Sequence, residues 1–220
     1  MTQIQPLDEG IQQAHQRSLL PMKRRFAMTR MWPVWTIFTI VGMIVGFWLS
    51  SAFESFTFTW ALARLDPIPV YWLASIAFGL GYGVALGTSQ GLFYYYLDGL
   101  RLAAKWGLLT CLGVTLGMLV LSLDDIYAIP GRELILRLMP GAALGVGQWI
   151  SLRKQVRHSW IWIVVIAVSW PLMSQISVRM RGFSSLVISA AVFGALTGLA
   201  WSLLFTQSDE LATPDSTPSP

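Results

Sequence analysis

The sequence predicts an all-α polytopic membrane protein whose six transmembrane helices form three tandem helical hairpins. Composition is the first reason: hydrophobic residues make up 55% of 220 positions and charged residues only 12%, a balance outside that of soluble domains. The second is that the apolar residues gather in six runs, 31–53, 70–97, 106–123, 134–152, 159–178 and 184–205. Each is long enough to cross a hydrocarbon core of about 30 Å at about 1.5 Å per residue. The third is repetition, because two motif halves alternate strictly along the chain. One half is an aromatic followed at plus seven and plus eleven by small or helix-perturbing residues: Trp35, Gly42 and Gly46; Trp106, Gly113 and Gly117; Trp160, Ala167 and Pro171. The other is a glycine pair followed by a large polar or aromatic residue: Gly83, Gly87 and Gln90; Gly141, Gly145 and Gln148; Gly194, Gly198 and Trp201. Such self-similarity is the signature of tandem structural units.

Taken in order, residues 1–30 form a basic cytoplasmic segment in which Lys23, Arg24 and Arg25 are expected to lie against anionic lipid headgroups, at about 1 kcal/mol per basic residue. The run at 31–53 is longer than a signal-peptide core and lacks a small-x-small cleavage site, so it is expected to remain as an anchor. Residues 54–65 read as a short interfacial helix, and Pro67 and Pro69 break the chain before the second run. The segment 124–133 reads as a solvated turn. Its adjacent Asp124 and Asp125 point in different directions and have no His or Cys beside them, which disfavours a cation site. The fourth run is the least apolar because Arg137 lies near its start, where it is expected to snorkel to the interface. Pro171 is expected to kink the fifth run where the other copies carry glycine. The membrane domain thus spans 31–206, and 207–220, rich in Ser, Thr, Pro and acid, reads as a disordered cytoplasmic tail.

Orientation follows from the cations. With the amino terminus inside, ten lie on the cytoplasmic side, including every lysine, and Arg64, Arg132, Arg137, Arg179 and Arg181 lie on the other. Both termini are therefore expected in the cytoplasm or stroma. This topology accounts for a sequence pI near 9.5 without a nucleic-acid partner.

In that topology the repeated residues fall into layers. Trp35, Trp106, Trp160, Gln90, Gln148 and Trp201 share a depth near the cytoplasmic face, and the glycines lie below them, letting backbones approach closely. Two readings of Gln90 and Gln148 are open: a polar site for a solute or pigment, or amide hydrogen bonds across helix interfaces. Replacement of the third amide by Trp201 favours the second. Trp35, Trp106, Trp160 and Trp201, with Tyr94, Tyr95 and Tyr96, are assigned to the interfacial aromatic belt. Catalysis has little support. The two histidines, His15 and His158, lie outside the runs, Cys111 is the single cysteine, and no run carries a central acid or base. No metal site is expected.

The residues Gly141, Gly145, Gln148, Trp149, Leu152 and Arg153, followed by Trp160, resemble a repeated motif of small polytopic membrane proteins from cyanobacteria and other bacteria. The copy at Gly83, Gly87 and Gln90 departs from it, with Gly91 and Leu92 where the motif prefers Trp and an aliphatic residue. The resemblance implies a plasma or thylakoid membrane and transfers no activity. Together the residues point to a non-enzymatic accessory, assembly or stabilising subunit that packs on other integral membrane proteins. Lipid, carotenoid or chlorophyll would suit its aromatic grooves. The competing class is a small-solute channel, transporter or substrate-binding subunit built at repeat interfaces.

Overall fold

The computed structural model describes residues 32–210, apart from 128–132, 157 and 181. Lys23, Arg24 and Arg25 and most of the predicted tail lie outside the described residues. Six helices follow one another: α1 (Trp32–Leu62), α2 (Pro67–Asp98), α3 (Leu100–Tyr127), α4 (Glu133–Leu152), α5 (Ile161–Arg179) and α6 (Phe183–Glu210). Each packs on its neighbours in the chain, and α6 returns to pack on α1. The helices therefore close into a ring whose first and last members meet.

Four helices, α1, α2, α3 and α6, are long and apolar enough to cross a membrane, which supports a helical, membrane-embedded protein. The apolar stretch of α5, Ile161–Ser177, is shorter, and α4 carries Glu133, Arg137 and Pro140 within 20 residues. Expectation and structure differ most at α1. It does not end near residue 53 to leave a separate interfacial helix; it continues to Leu62 over 31 residues, about 46 Å. Glu54, Ser55, Thr57 and Thr59 lower its hydropathy without removing a backbone donor, so the hydrogen-bond ladder runs on. The helix stops where Arg64 donates to the Trp60 carbonyl at 2.9 Å, with its guanidinium 4.7 Å from the Trp60 ring centre. Pro67 then opens α2 within its first turn, where a missing N–H costs nothing.

The remaining connections are short. Gly99, at φ +81°, alone separates α2 from α3, and Gly182, at φ +91°, precedes α6; side chains with a Cβ are strained in both conformations. Asp124 and Asp125 belong to α3, which extends to Tyr127, rather than to a turn. α5 continues through Pro171 to Arg179, and α6 through Gln207 to Glu210, past the expected start of the tail.

The glycine stripes hold the ring together in one sense of rotation. Gly42 and Gly46 of α1 face Leu86, Ser89 and Tyr82 of α2, and Gly83 and Gly87 of α2 face Cys111 and Gly107 of α3. Gly113 and Gly117 face Leu144 and Pro140 of α4; Gly141 and Gly145 face Ile166, Ala167 and Ile163 of α5; Gly194 and Gly198 of α6 face Thr36 of α1. Every stripe thus meets the next helix around the ring. The contacts are close enough to exclude side chains: a Cβ on Gly87 would sit 2.6 Å from the Gly107 carbonyl oxygen, and one on Gly145 2.9 Å from the Ile163 Cα. Gly42 and Gly113 lie against Leu86 and Leu144, one residue from Gly87 and Gly145 of the next stripe, and Gly198 lies against α1.

Candidate functional site

The interior of the ring near the start of α1 is filled by indoles and amides. Trp35, Trp106, Trp162, Trp201, Phe93 and Tyr94 are all fully or almost fully buried. Trp35 lies at their centre, stacked on Trp201 with ring centres 4.9 Å apart and planes 14° apart. It meets Phe93 at 5.4 Å, Trp106 at 5.6 Å and Trp162 at 5.9 Å edge to face. Such pairs contribute about 0.5–1.5 kcal/mol each beyond the area they bury.

Most polar atoms inside this cluster are matched to one another, although the Tyr94 hydroxyl is buried with no partner among the described residues. The Trp106 indole N–H donates to Gln90 Oε1 at 3.1 Å, and the Trp162 N–H donates to Gln148 Oε1 at 2.9 Å. Gln90 Nε2 donates to Thr39 Oγ1 at 3.1 Å. Gln148 Nε2 donates both to Thr110 Oγ1 at 3.2 Å and to Gln90 Oε1 at 2.9 Å. Between α6 and α1 the chemistry changes together. Trp201 stands in the amide position, and the Trp35 N–H donates instead to Thr197 Oγ1 at 3.2 Å. Ile166 occupies the place, four residues after the indole, that Thr39 and Thr110 hold elsewhere. These contacts are what burial demands, since an unpartnered buried donor costs about 1–3 kcal/mol.

Several sequence expectations are corrected here. Trp35, Trp106 and Trp201 do not sit in an interfacial belt; they face the ring interior with 0% exposure, and the Trp35 and Trp106 indoles donate their hydrogen bonds there. Tyr94 is likewise buried, whereas Tyr95 and Tyr96 are exposed. Trp160, the aromatic assigned to the third copy, is 57% exposed, and Trp162 takes the interior position. Two residues turn a helix by about 200°, placing the two indoles on opposite faces. Gln90 and Gln148, expected at one depth, are brought into direct contact.

The groups with room around them lie elsewhere. A groove of about 660 Å³ runs along α2 and α3 between Gly87, Gly91, Ala103, Ala104 and Gly107, with Tyr95 at its edge. A chamber of about 740 Å³, unmarked by any motif, lies in the other half of the ring. Among the described residues no three of His, Cys, Asp and Glu gather closely enough to hold a metal ion. Cys111 is a free thiol on α3, with its Cα against Gly83. No family model, curated protein or solved structure matches this chain.

Proposed function

We propose that this chain is a non-enzymatic integral membrane subunit that assists the assembly or stability of a larger membrane complex, photosynthetic or respiratory, in a bacterial plasma or thylakoid membrane. In this reading all six helices are spans, both termini are cytoplasmic or stromal, and the ring consists of three related hairpins. The glycine stripes and the paired Gln90–Trp106 and Gln148–Trp162 bonds support the repeat. The observation that carries the functional reading is the state of the amides. A transporter built at repeat interfaces turns its polar groups toward a solute, whereas Gln90 and Gln148 are fully buried and bonded to each other, to indoles and to threonines.

The α2–α3 groove has the small-residue floor and apolar rim that let a helix, acyl chain or pigment approach closely. The test is solubilisation of native membranes in mild detergent, followed by native electrophoresis, mass spectrometry and an absorption spectrum. The chain should co-migrate with a larger complex, and its deletion should lower the abundance of that complex by mass action. Migration alone, with every membrane complex unchanged in the deletion strain, would contradict the proposal.

A further inference from the structure

The half of the ring remote from Trp35 is hollow. Five of the six helices line its chamber of about 740 Å³, with Trp48, Phe78 and Met118 on one side and Ser177 and Ser189 on the other. The chamber opens to the surface of the bundle, and Trp48 in its lining is 62% exposed and about 20 Å along α1 from Trp35. At that depth an opening faces lipid.

We propose that this chamber binds an uncharged diacyl lipid of the diacylglycerol type, drawn laterally from the distal leaflet, with an ester carbonyl accepting a hydrogen bond from Tyr82. The inference rests on the membrane reading but not on the accessory role.

Tyr82 is the first argument. It lines the chamber and is only 4% exposed, its ring held by Phe78 at 6.1 Å and Trp170 at 6.0 Å. Its phenol makes no hydrogen bond with the described residues, yet it is not among the sealed, unpartnered polar atoms. A buried donor that opens onto a cavity is satisfied by whatever the cavity holds. The serine wall is the second argument. The Ser177 and Ser189 hydroxyls share one bond of 2.9 Å, so of their two O–H donors one remains available. Ser174 and Ser185 turn their donors to the Trp170 and Gly182 carbonyls and keep acceptor capacity.

Charge narrows the class further. Among the described residues that line the chamber there is no lysine, arginine or acid. The adjoining recess of about 250 Å³ shares Phe78 and Met118 with the chamber and contains Glu54. A phosphate headgroup would find no cation among those described residues and would lie near a carboxylate, while an ester and a hydroxyl need only the neutral donors present. The volume falls within the range of about 300–1,000 Å³ usual for ligand sites. It suits one acyl chain with its ester, leaving the second chain in the bilayer. Met118, Met173 and Met180 supply adaptable walls for a flexible chain.

The test uses the full chain in lipid nanodiscs containing trace diacylglycerol with a photoreactive diazirine in one acyl chain, and phosphatidylglycerol with the same chain as the charged control. Diacylglycerol should label the peptides carrying Phe78, Met118 and Ser189, and phosphatidylglycerol should label them about tenfold less. Tyr82→Phe should lower diacylglycerol labelling about two- to tenfold, the value of one hydrogen bond, with melting unchanged because no protein partner is lost. Leu186→Trp, which fills the chamber from its partly exposed rim, should reduce labelling to background by an independent route. Equal labelling by both lipids, labelling that spares these peptides, wild-type labelling of Tyr82→Phe, or a lowered melting temperature in that variant would each overturn the proposal.

Discussion

Gln148 joins three other helices through single atoms: α2 through Gln90, α3 through Thr110 and α5 through Trp162. Gln148→Leu removes one side chain and leaves the Trp162 donor buried without its acceptor. It should destabilise the fold by about 1–3 kcal/mol, more if Gln90 cannot re-pair. Trp162→Phe should also destabilise, while Trp160→Phe, at the surface, should stay within about 0.5 kcal/mol. Thermal melting in detergent distinguishes the two tryptophans, and equal losses would place the wrong indole in the core. Here the sequence was informative but ambiguous. Spacing to Ala167 and Pro171 selected Trp160, whereas the spacing that matters is from the indole to Thr39, Thr110 and Ile166, four residues on. A pattern of apolar and hydroxyl residues at that offset was the available signal. It was obscured because the third copy has lost both its threonine and its amide.

Helix existence was legible from hydropathy, and the glycines were legible as packing positions; what each glycine faces was not. Periodicity fixes the face of a helix but leaves its neighbour open. Gly117, for example, lies against Pro140 of α4, the residue before Gly141. Helices run past the apolar stretch where polar residues interrupt it without breaking the backbone, as at Glu54 in α1 and Asp124 in α3. If the stripes are close contacts, Gly145→Leu and Gly198→Leu should each cost about 1–3 kcal/mol through overpacking. Val164→Leu, on the exposed face of α5, should do little. Wild-type melting of both glycine variants would remove the basis for the ring's tight interfaces.

Closure of α6 onto α1 is a property of the whole molecule, and local sequence carries no mark of it. Two polar or stacking contacts make it legible only in three dimensions: the Trp35–Thr197 bond and the Trp35–Trp201 stack. The chamber has no mark in the sequence for the same reason. Its serines lie on α5 and α6 and its aromatic wall largely on α1 and α2, and no single segment gathers them. The proposed topology has its own check. Cysteines placed at Ser18 and Ser208 should be protected from an impermeant thiol reagent in intact cells, and one at Ser55 should be labelled. The reverse pattern would invert the orientation.

In the proposed reading Gln90 and Gln148 are structural bonds in a filled core and not ligands for a solute. The purified protein and its Gln90→Leu/Gln148→Leu variant should be compared in reconstituted liposomes for solute binding and flux, with melting measured on the same samples. The account predicts no saturable binding by the wild type, and a variant that melts earlier or loses its association with partner proteins. Saturable binding by the isolated wild type, abolished in the variant at unchanged melting temperature, would contradict it.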